Sequence, residues 1–322
     1  MNSDQKKTVL VTGGAGFVGN HVALRLLEEG HEVVVVDNVN SYYDPALKEA
    51  RLARLPETVP VHRVDITDRD ALAAVFAEHA FDVVCHLAAQ AGVRYSLEAP
   101  EAYVSTNYTG TFHIFELAKQ HAVPHVVFAS TSSVYGESTD MPFREDNSAD
   151  TPLSLYAATK RGCELMGFNY HHLFGLNVTC LRFFTVYGPW GRPDMALFKF
   201  VRAIEAGEPI DVYNNGHMKR DFTYIDDIVD GFTRAVARPL GYEIINLGHG
   251  EPVHLMDFIR ELECQLGSEA TINYMPLQPG DVPETYASTE KARDLLGFTA
   301  QVGVPEGIKN FVEWYREYTG RA

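Results

Sequence analysis

The stretch 8–37 constrains this chain more than any other. It opens with Thr8-Val-Leu-Val-Thr12, a β-branched run that reads as a buried strand. Gly13, Gly16 and Gly19 follow, and then Val22, Leu26 and Leu27 recur at helical spacing until Gly30 stops the helix. Glu32-Val-Val-Val-Val-Asp37 is a second strand, apolar on both faces and ending on an acid. Glycines let a backbone turn tightly and approach a pyrophosphate with no Cβ in the way. The helix behind them aims free N–H groups and its positive dipole end at the same point. The spacing is G-x-x-G-x-x-G rather than the commoner G-x-G-x-x-G, and a glycine-rich turn alone says little. The strand before it, the helix after it and Asp37 supply the context. A carboxylate at 37 can accept hydrogen bonds from the adenosine ribose and would repel a 2′-phosphate, so the expected cofactor is NAD rather than NADP. Asp65 and Ile66, after a third strand, are candidates to meet the adenine, with a plain turn cap as the alternative reading of Asp65.

Further apolar strands are expected over 61–65, 81–88, 126–130, 178–183 and 244–247, with helices over 70–79, 101–121 and 155–174 between them. Alternating strand and helix means parallel strands joined by crossovers, with helices on both faces of an open sheet. The alternation breaks down after 183, where turn-rich pieces such as Tyr187-Gly-Pro-Trp-Gly191 follow. A helix over 226–237, a last sheet strand near 242–248 and an aromatic helix around 311–318 complete the chain. The expected fold is α/β: a Rossmann-type doubly wound parallel sheet with a smaller, discontinuous α+β substrate domain. The dinucleotide domain is expected to take 1–184 plus about 224–260. The substrate domain is expected to take about 185–223 plus 261–322.

Composition narrows the partners. The chain has 322 residues and a formal charge of -16, with no Lys/Arg cluster, which argues against nucleic acid. It also means that an anionic substrate needs a locally placed cation. The longest apolar runs are too short to span a bilayer. The four cysteines, Cys85, Cys163, Cys180 and Cys264, form no Cys-x-x-Cys motif and read as reduced, in a cytoplasmic protein. The thirteen histidines show no metal-ligand spacing, so no metal is expected.

The catalytic candidates are Tyr156 and Lys160, in Tyr-Ala-Ala-Thr-Lys at the start of the 155–174 helix. Residues four apart share a helix face. A free tyrosine, with a pKa of about 10, is a poor base at neutral pH. A neighbouring ammonium and a cationic nicotinamide ring stabilise the phenolate, making it a usable general base for a substrate hydroxyl. By itself this pair occurs on many helices by chance. It is joined by Ser130-Thr131-Ser132-Ser133 at the end of a strand, where hydroxyls face the crevice that holds ligands in such sheets. The alternative for that cluster is a polar turn capping its own backbone.

Five segments occur in order: T-G-x-x-G-F-x-G, His86-Leu-Ala-Ala89, S-T-S-S-V-Y-G, Y-x-x-x-K and Arg182-Phe-Phe-Thr-Val-Tyr-Gly-Pro189. Together they resemble the extended short-chain dehydrogenases that act on nucleotide sugars, over almost the whole chain. The resemblance implies bound NAD, a UDP- or TDP-sugar substrate and a homodimer built on two long helices per subunit. It also implies cofactor contacts from Phe17, Val18, Asn38, Leu87, Ala88 and Ala89. Asn40-Ser-Tyr-Tyr-Asp-Pro-Ala-Leu-Lys-Glu-Ala-Arg-Leu52 and RFFTVYGPWGRPDMA (182–196) resemble the UDP-glucuronate 4-epimerases in particular. Related dehydratases carry Asp-Glu where Ser132-Ser133 stand, and related decarboxylases carry Glu at the position of Ser133. For that reaction the resemblance implies Tyr156 as base, Thr131 in the hydrogen-bond chain, and Arg192 with Thr185 on the sugar carboxylate. It further implies Arg94 on the substrate, Arg220 on the pyrophosphate and Asp281 on the uridine ribose, with Gln278 where relatives often have an arginine. The competing readings are a UDP-glucose/UDP-galactose 4-epimerase, a UDP-glucuronate decarboxylase and a non-catalytic NAD-sensing protein. The last of these tends to lose the Tyr/Lys pair that this chain keeps.

Overall fold

Alternate residues of the central strands feed two different apolar layers. Val9, Val11, Val33, Val35 and Val83 enter one core, and Leu10, Val34, Val36, Val84 and Val126 enter the other. That period-two division is why each strand reads as a continuous apolar run: both faces of the sheet are covered. The structure is a computed structural model and describes residues 6–278 and 280–321.

Among the described residues, seven strands form one parallel sheet: β1 (Thr8–Thr12), β2 (Glu32–Val36), β3 (Val61–His62), β4 (Val83–His86), β5 (His125–Thr131), β6 (Asn177–Phe183) and Tyr242–Leu247. Their order is Tyr242–Leu247, β6, β5, β4, β1, β2, β3. The chain winds outward from β1 to β3 and then restarts at β4 on the other side of β1. The loops after β1 and β4 therefore diverge, and a crevice opens beyond their carboxyl ends. Helix α1 (Phe17–Glu28) lies on the first core with Ile225–Ala237, while Arg69–Glu78, Thr111–Gln120 and Leu155–Phe174 cover the second.

Two elements differ from expectation. β3 stops at His62 rather than near 65, because the Asp65 carboxylate accepts the Thr67 N–H at 2.8 Å and its hydroxyl at 2.7 Å, turning the chain. The single helix expected over 101–121 is broken into Pro100–Tyr103, a π-helix Val104–Gly110 and Thr111–Gln120. Within the wide turn, the Asn107 side chain accepts the Gln90 N–H at 2.7 Å and donates to the Gln90 carbonyl at 3.0 Å, fixing the loop after β4.

The remaining strands are short. Thr185–Tyr187 pairs with Phe222–Tyr224, and Ile210–Val212 with Ile272–Tyr274, while Lys219–Arg220 lies between Val253–His254 and Glu284–Thr285. Val253–His254 and the following helix Leu255–Leu266, which packs on Val304–Thr319, thus side with this second lobe. One apolar core joins the lobe to the sheet, running from Val22 and Leu26 of α1 through Phe232 and Phe258 to Phe311 and Tyr315. No described helix is long and apolar enough to cross a membrane.

Candidate active site

At the end of β1 the three glycines are required by contact. A Cβ on Gly13 would lie 2.7 Å from the Ala88 nitrogen, and one on Gly19 would lie 2.1 Å from the Gly13 carbonyl oxygen. Gly13 also takes a φ of +74°, which favours glycine. Gly16 is the N-cap of α1 and offers no side chain to the free N–H groups behind it. Those groups face a cleft of about 1030 Å³ that runs along the carboxyl ends of the strands. This is a cradle shaped for a phosphate: backbone can approach closely, and among the described residues no capping side chain claims the donors.

Asp37 does more than the sequence suggests. One carboxylate oxygen accepts the Ala15 N–H at 3.0 Å and the other the Val39 N–H at 2.8 Å. The acid thus ties the glycine turn to the end of β2 while it lines the cleft. Burial raises its pKa, and those two N–H groups oppose the rise. Phe17, Val18, Asn38, Ile66, Leu87, Ala88 and Ala89 line the same half of the cleft. Asp65 is not among the lining residues; besides Thr67 it accepts from Asn38 Nδ2 at 2.7 Å.

Tyr156 and Lys160 enter from the helix Leu155–Phe174. Ser154 caps that helix by accepting the Ala157 N–H at 3.2 Å, which fixes the first turn, where Tyr156 sits. Burial pushes the Tyr156 phenol up, and the Arg192 charge and the Thr131 hydroxyl pull it back. Lys160 is buried and donates to the Ala129 carbonyl at 2.8 Å, with its ammonium 4.6 Å from the centre of the Phe128 ring. Burial brings its pKa down to about 8. The ammonium is therefore anchored on the end of β5 as well as sharing the helix face of Tyr156. Thr131 ends β5, and its hydroxyl lies 3.2 Å from both the Ser133 hydroxyl and the Ser133 N–H. Thr131, Ser132 and Ser133 all line the cleft.

Beneath these hydroxyls is a charged network. Glu164 accepts Ser130 Oγ at 2.6 Å, Arg182 Nε and Nη2 at 2.9 and 2.8 Å, and Arg161 Nη1 at 3.1 Å. Neither Glu164 nor Arg182 is more than 1% exposed.

The second lobe supplies the opposite wall: Thr185, Arg192, Arg220 and Asp281 line the cleft, with Arg94 reaching in from the loop after β4. Arg94 pairs with Asp281 at 3.2 Å and lies 4.2 Å from the centre of the Tyr213 ring. Arg220 donates to the Lys219 and Pro283 carbonyls at 2.8 and 3.1 Å; burial lowers its pKa, with Asp281 opposing. Gln278 does not line the cleft, and its carbonyl accepts the Asp281 N–H at 3.1 Å. Arg192 is not a lone cation. Its Nε donates to Asp194 at 3.0 Å, its Nη2 donates to the other Asp194 oxygen, and Tyr42 Oη donates to Asp194 at 3.2 Å. Tyr42 and Asp194 have no site role in the sequence reading, although both fall in the two segments singled out at 40–52 and 182–196. Away from the cleft, His62, Glu78 and His79 bring one ligand atom each within 4.8 Å of one another, a grouping that local spacing does not announce.

The comparisons agree with this geometry. Residues 9–248 match the NAD dependent epimerase/dehydratase family. The chain is 47% identical to a UDP-glucuronate 4-epimerase of Thermodesulfobacterium geofontis, over 96% of each chain. Among solved structures, a UDP-glucuronic acid 4-epimerase from Bacillus cereus, in complex with UDP-glucuronic acid and NAD, superposes with a TM-score of 0.91 at 34% identity, covering 97% of this chain and 99% of that one. A UDP-glucose 4-epimerase from Thermotoga maritima, with UDP-glucose, superposes at 0.90 and 30% identity, with the same coverage. Glycine cradle, strand-end acid, half-buried Tyr156 above a buried Lys160 and full-length relatives all point one way: this chain belongs to the NAD dependent epimerase/dehydratase family.

Proposed function

We propose that the chain is a UDP-glucuronate 4-epimerase that keeps its NAD through the catalytic cycle. The observation that carries this reading is a cation in the same cleft as the base. Arg192 and Tyr156 both line it, the Arg192 charge opposes the rise that burial imposes on the phenol, and the residues at 131–133, which line it too, offer hydroxyls rather than carboxyls. The names of the full-length relatives support the same substrate.

The glycine cradle fits a pyrophosphate, and the Asp37 carboxylate fits a ribose diol. NAD held there by the glycine turn and Asp37 would supply reversible hydride transfer at the sugar's C4. The chain's own groups do the rest. Tyr156 takes the proton of the C4 hydroxyl, with Thr131 in the hydrogen-bond chain, and returns it after the sugar has turned over. Lys160, anchored on the Ala129 carbonyl, keeps a positive charge beside the phenolate. The 4-keto sugar is a β-keto acid, which loses carbon dioxide once its carboxylate stands perpendicular to the ketone. Arg192 and Thr185 hold that carboxylate, and Arg94, Arg220 and Asp281 hold the nucleotide end. Ser132 and Ser133 offer hydrogen bonds without adding negative charge next to the carboxylate.

Incubating the purified protein with UDP-glucuronate and no added cofactor tests the reading. The expected product by chromatography and mass is UDP-galacturonate with little UDP-pentose, and Tyr156→Phe should lower the rate by several orders of magnitude. Dominant UDP-pentose would make the chain a decarboxylase. Turnover of UDP-glucose in preference to the acid sugar would make it the neutral-sugar epimerase.

Three further proposals go with this reading. The sheet lobe carries NAD, and the lobe of short strands carries the UDP-sugar. The chain forms a homodimer through the exposed apolar side chains Val104, Tyr108, Phe112, Leu165 and Phe168 on its two long helical segments, which light scattering would test. It works in the cytoplasm, in keeping with four unpaired cysteines.

A further inference from the structure

The Arg192–Asp194 pair raises a question that the assignment of Arg192 leaves open: an arginine meant for a substrate carboxylate already holds one from the protein. A guanidinium carries five N–H donors on two usable edges. Asp194 occupies the Nε–Nη2 edge. Among the described residues nothing accepts from Nη1, so the other edge remains for a second anion. Asp194 is itself held from behind by Tyr42 Oη at 3.2 Å. Burial pushes the Tyr42 phenol up to about 12, so it stays a neutral donor across the working range.

The backbone under Arg192 is held as firmly. Trp190 has a φ of +61°, a left-handed conformation that a bulky residue seldom takes. Arg51, fully buried, accounts for its persistence. It donates to the Trp190 carbonyl from Nε at 3.0 Å and from Nη2 at 2.7 Å, and to the Gly191 carbonyl at 3.0 Å. Its Nη1 donates to the Ala15 carbonyl in the glycine turn at 3.1 Å. The segment 42–51 thus grips the arm 190–194 at both backbone and side chain.

We propose that Asp194 and Tyr42 are positioning residues that present the free edge of Arg192 to the sugar carboxylate, on an arm clamped by Arg51, and so set the preference for an acid sugar. The proposal rests on the reading of Arg192 as the carboxylate's partner. It assigns a role to the 42–51 segment, which otherwise lines the cleft without a part in the chemistry. It also accounts for an acid beside an anion site: Asp194 spends its charge on the edge of Arg192 that the substrate does not use.

The sign of one measurement separates this from the opposite idea, that Asp194 competes with the substrate for Arg192. The variants are Asp194→Asn, Asp194→Glu, Tyr42→Phe, Arg192→Ala and the double variant Asp194→Asn/Arg192→Ala. For each, kcat and KM are measured on UDP-glucuronate, and the affinity for UDP-glucose is measured by calorimetry as a check on fold and nucleotide site. A positioning role predicts that Asp194→Asn raises KM for UDP-glucuronate about tenfold or more, the scale of one charge-assisted contact. UDP-glucose affinity should stay within about twofold, Asp194→Glu should recover part of the loss, and Tyr42→Phe should give a smaller loss of the same kind. In the Arg192→Ala background, Asp194→Asn should add nothing further. A fall in KM on Asp194→Asn, or additive losses in the double variant, overturns the proposal. If Arg192→Ala itself leaves the acid-sugar preference intact, the carboxylate is held elsewhere, and the underlying reading falls with it.

Discussion

Replacing Arg182 by methionine should cost about 3 kcal/mol of folding stability, the lower end of what breaking a buried ion pair costs. Arg182 and Glu164 are essentially unexposed, and the pair is bidentate. Methionine fills much of the volume over the Tyr135 ring, on which the Arg182 guanidinium now stacks at 4.6 Å. The loss is therefore electrostatic rather than a cavity. Glu164 would keep the Ser130 hydroxyl and Arg161, whose side chain is 23% exposed and holds one carboxylate oxygen at 3.1 Å. That residual partner is why the lower end of the range applies. At about 2–4 °C per kcal/mol, the melting temperature should drop by roughly 6–12 °C, with a matching shift of the urea midpoint at unchanged slope. The double variant Glu164→Leu/Arg182→Met should regain most of the loss, since removing both charges leaves none stranded. It should still turn over more slowly, because Ser130 loses its acceptor one residue before Thr131. A single variant that melts within about 1 °C of wild type would refute the reasoning, given that each kcal/mol is worth about 2–4 °C. So would a double variant less stable than the single.

Gly19→Ala should abolish retained NAD and destabilise the fold, because its Cβ would meet the Gly13 carbonyl oxygen at 2.1 Å. Gly175→Ala, where a Cβ meets nothing within 4 Å, should cost only the left-handed strain of about 1–2 kcal/mol; cofactor content after purification and thermal melting read both, and equal effects would contradict the contact argument. Lys160 gives a pH signature. Folding lowers its pKa from 10.5 to about 8, so between those values the unfolded chain holds a proton that the folded chain has shed. The penalty for burying the ammonium is complete below pH 8 and fades as pH rises to 10.5; melting curves of wild type against Lys160→Met should move in favour of wild type across that window, and a constant difference would refute it.

The parts of this site that were legible in the sequence are those written in local spacing. Gly13, Gly16, Gly19 and Asp37 lie on one strand-turn-helix-strand unit, and Tyr156 and Lys160 lie one helical turn apart, so a short window carries each set. The observed helix Leu155–Phe174 coincides with the expected one. What stayed hidden depends on contacts between distant segments. Tyr42 meets Asp194 across 152 positions, and Arg94 meets Asp281 across 187, and no periodicity encodes either pairing. The π-turn at Val104–Gly110 was hidden for a related reason: its pattern is helical, and only the loop at Gln90, 17 positions away, draws Asn107 out of register. The second lobe looks turn-rich in sequence because its strands are two or three residues long, too short for alternation to register.

The apolar core that runs unbroken from α1 to the C-terminal helix has a consequence for how the sugar moves. Two lobes joined only by a polar seam could rock apart and give a reacting ring room to rotate. Here Phe232, Phe258, Phe298 and Phe311 are all buried in the one core that also holds Val9 and Val33 of the sheet, so opening the walls would expose the centre of the protein to water. A shared core of this kind makes such an opening costly, so the walls form a box that resists rocking. The turn of the 4-keto sugar between its two faces therefore has to be accommodated by free space already present in the cleft, while the nucleotide end stays pinned. Catalysis in such a box demands rotation of the substrate about its own pyrophosphate bonds, and bulky substitutions on the cleft floor should slow that swing without loosening the grip on UDP.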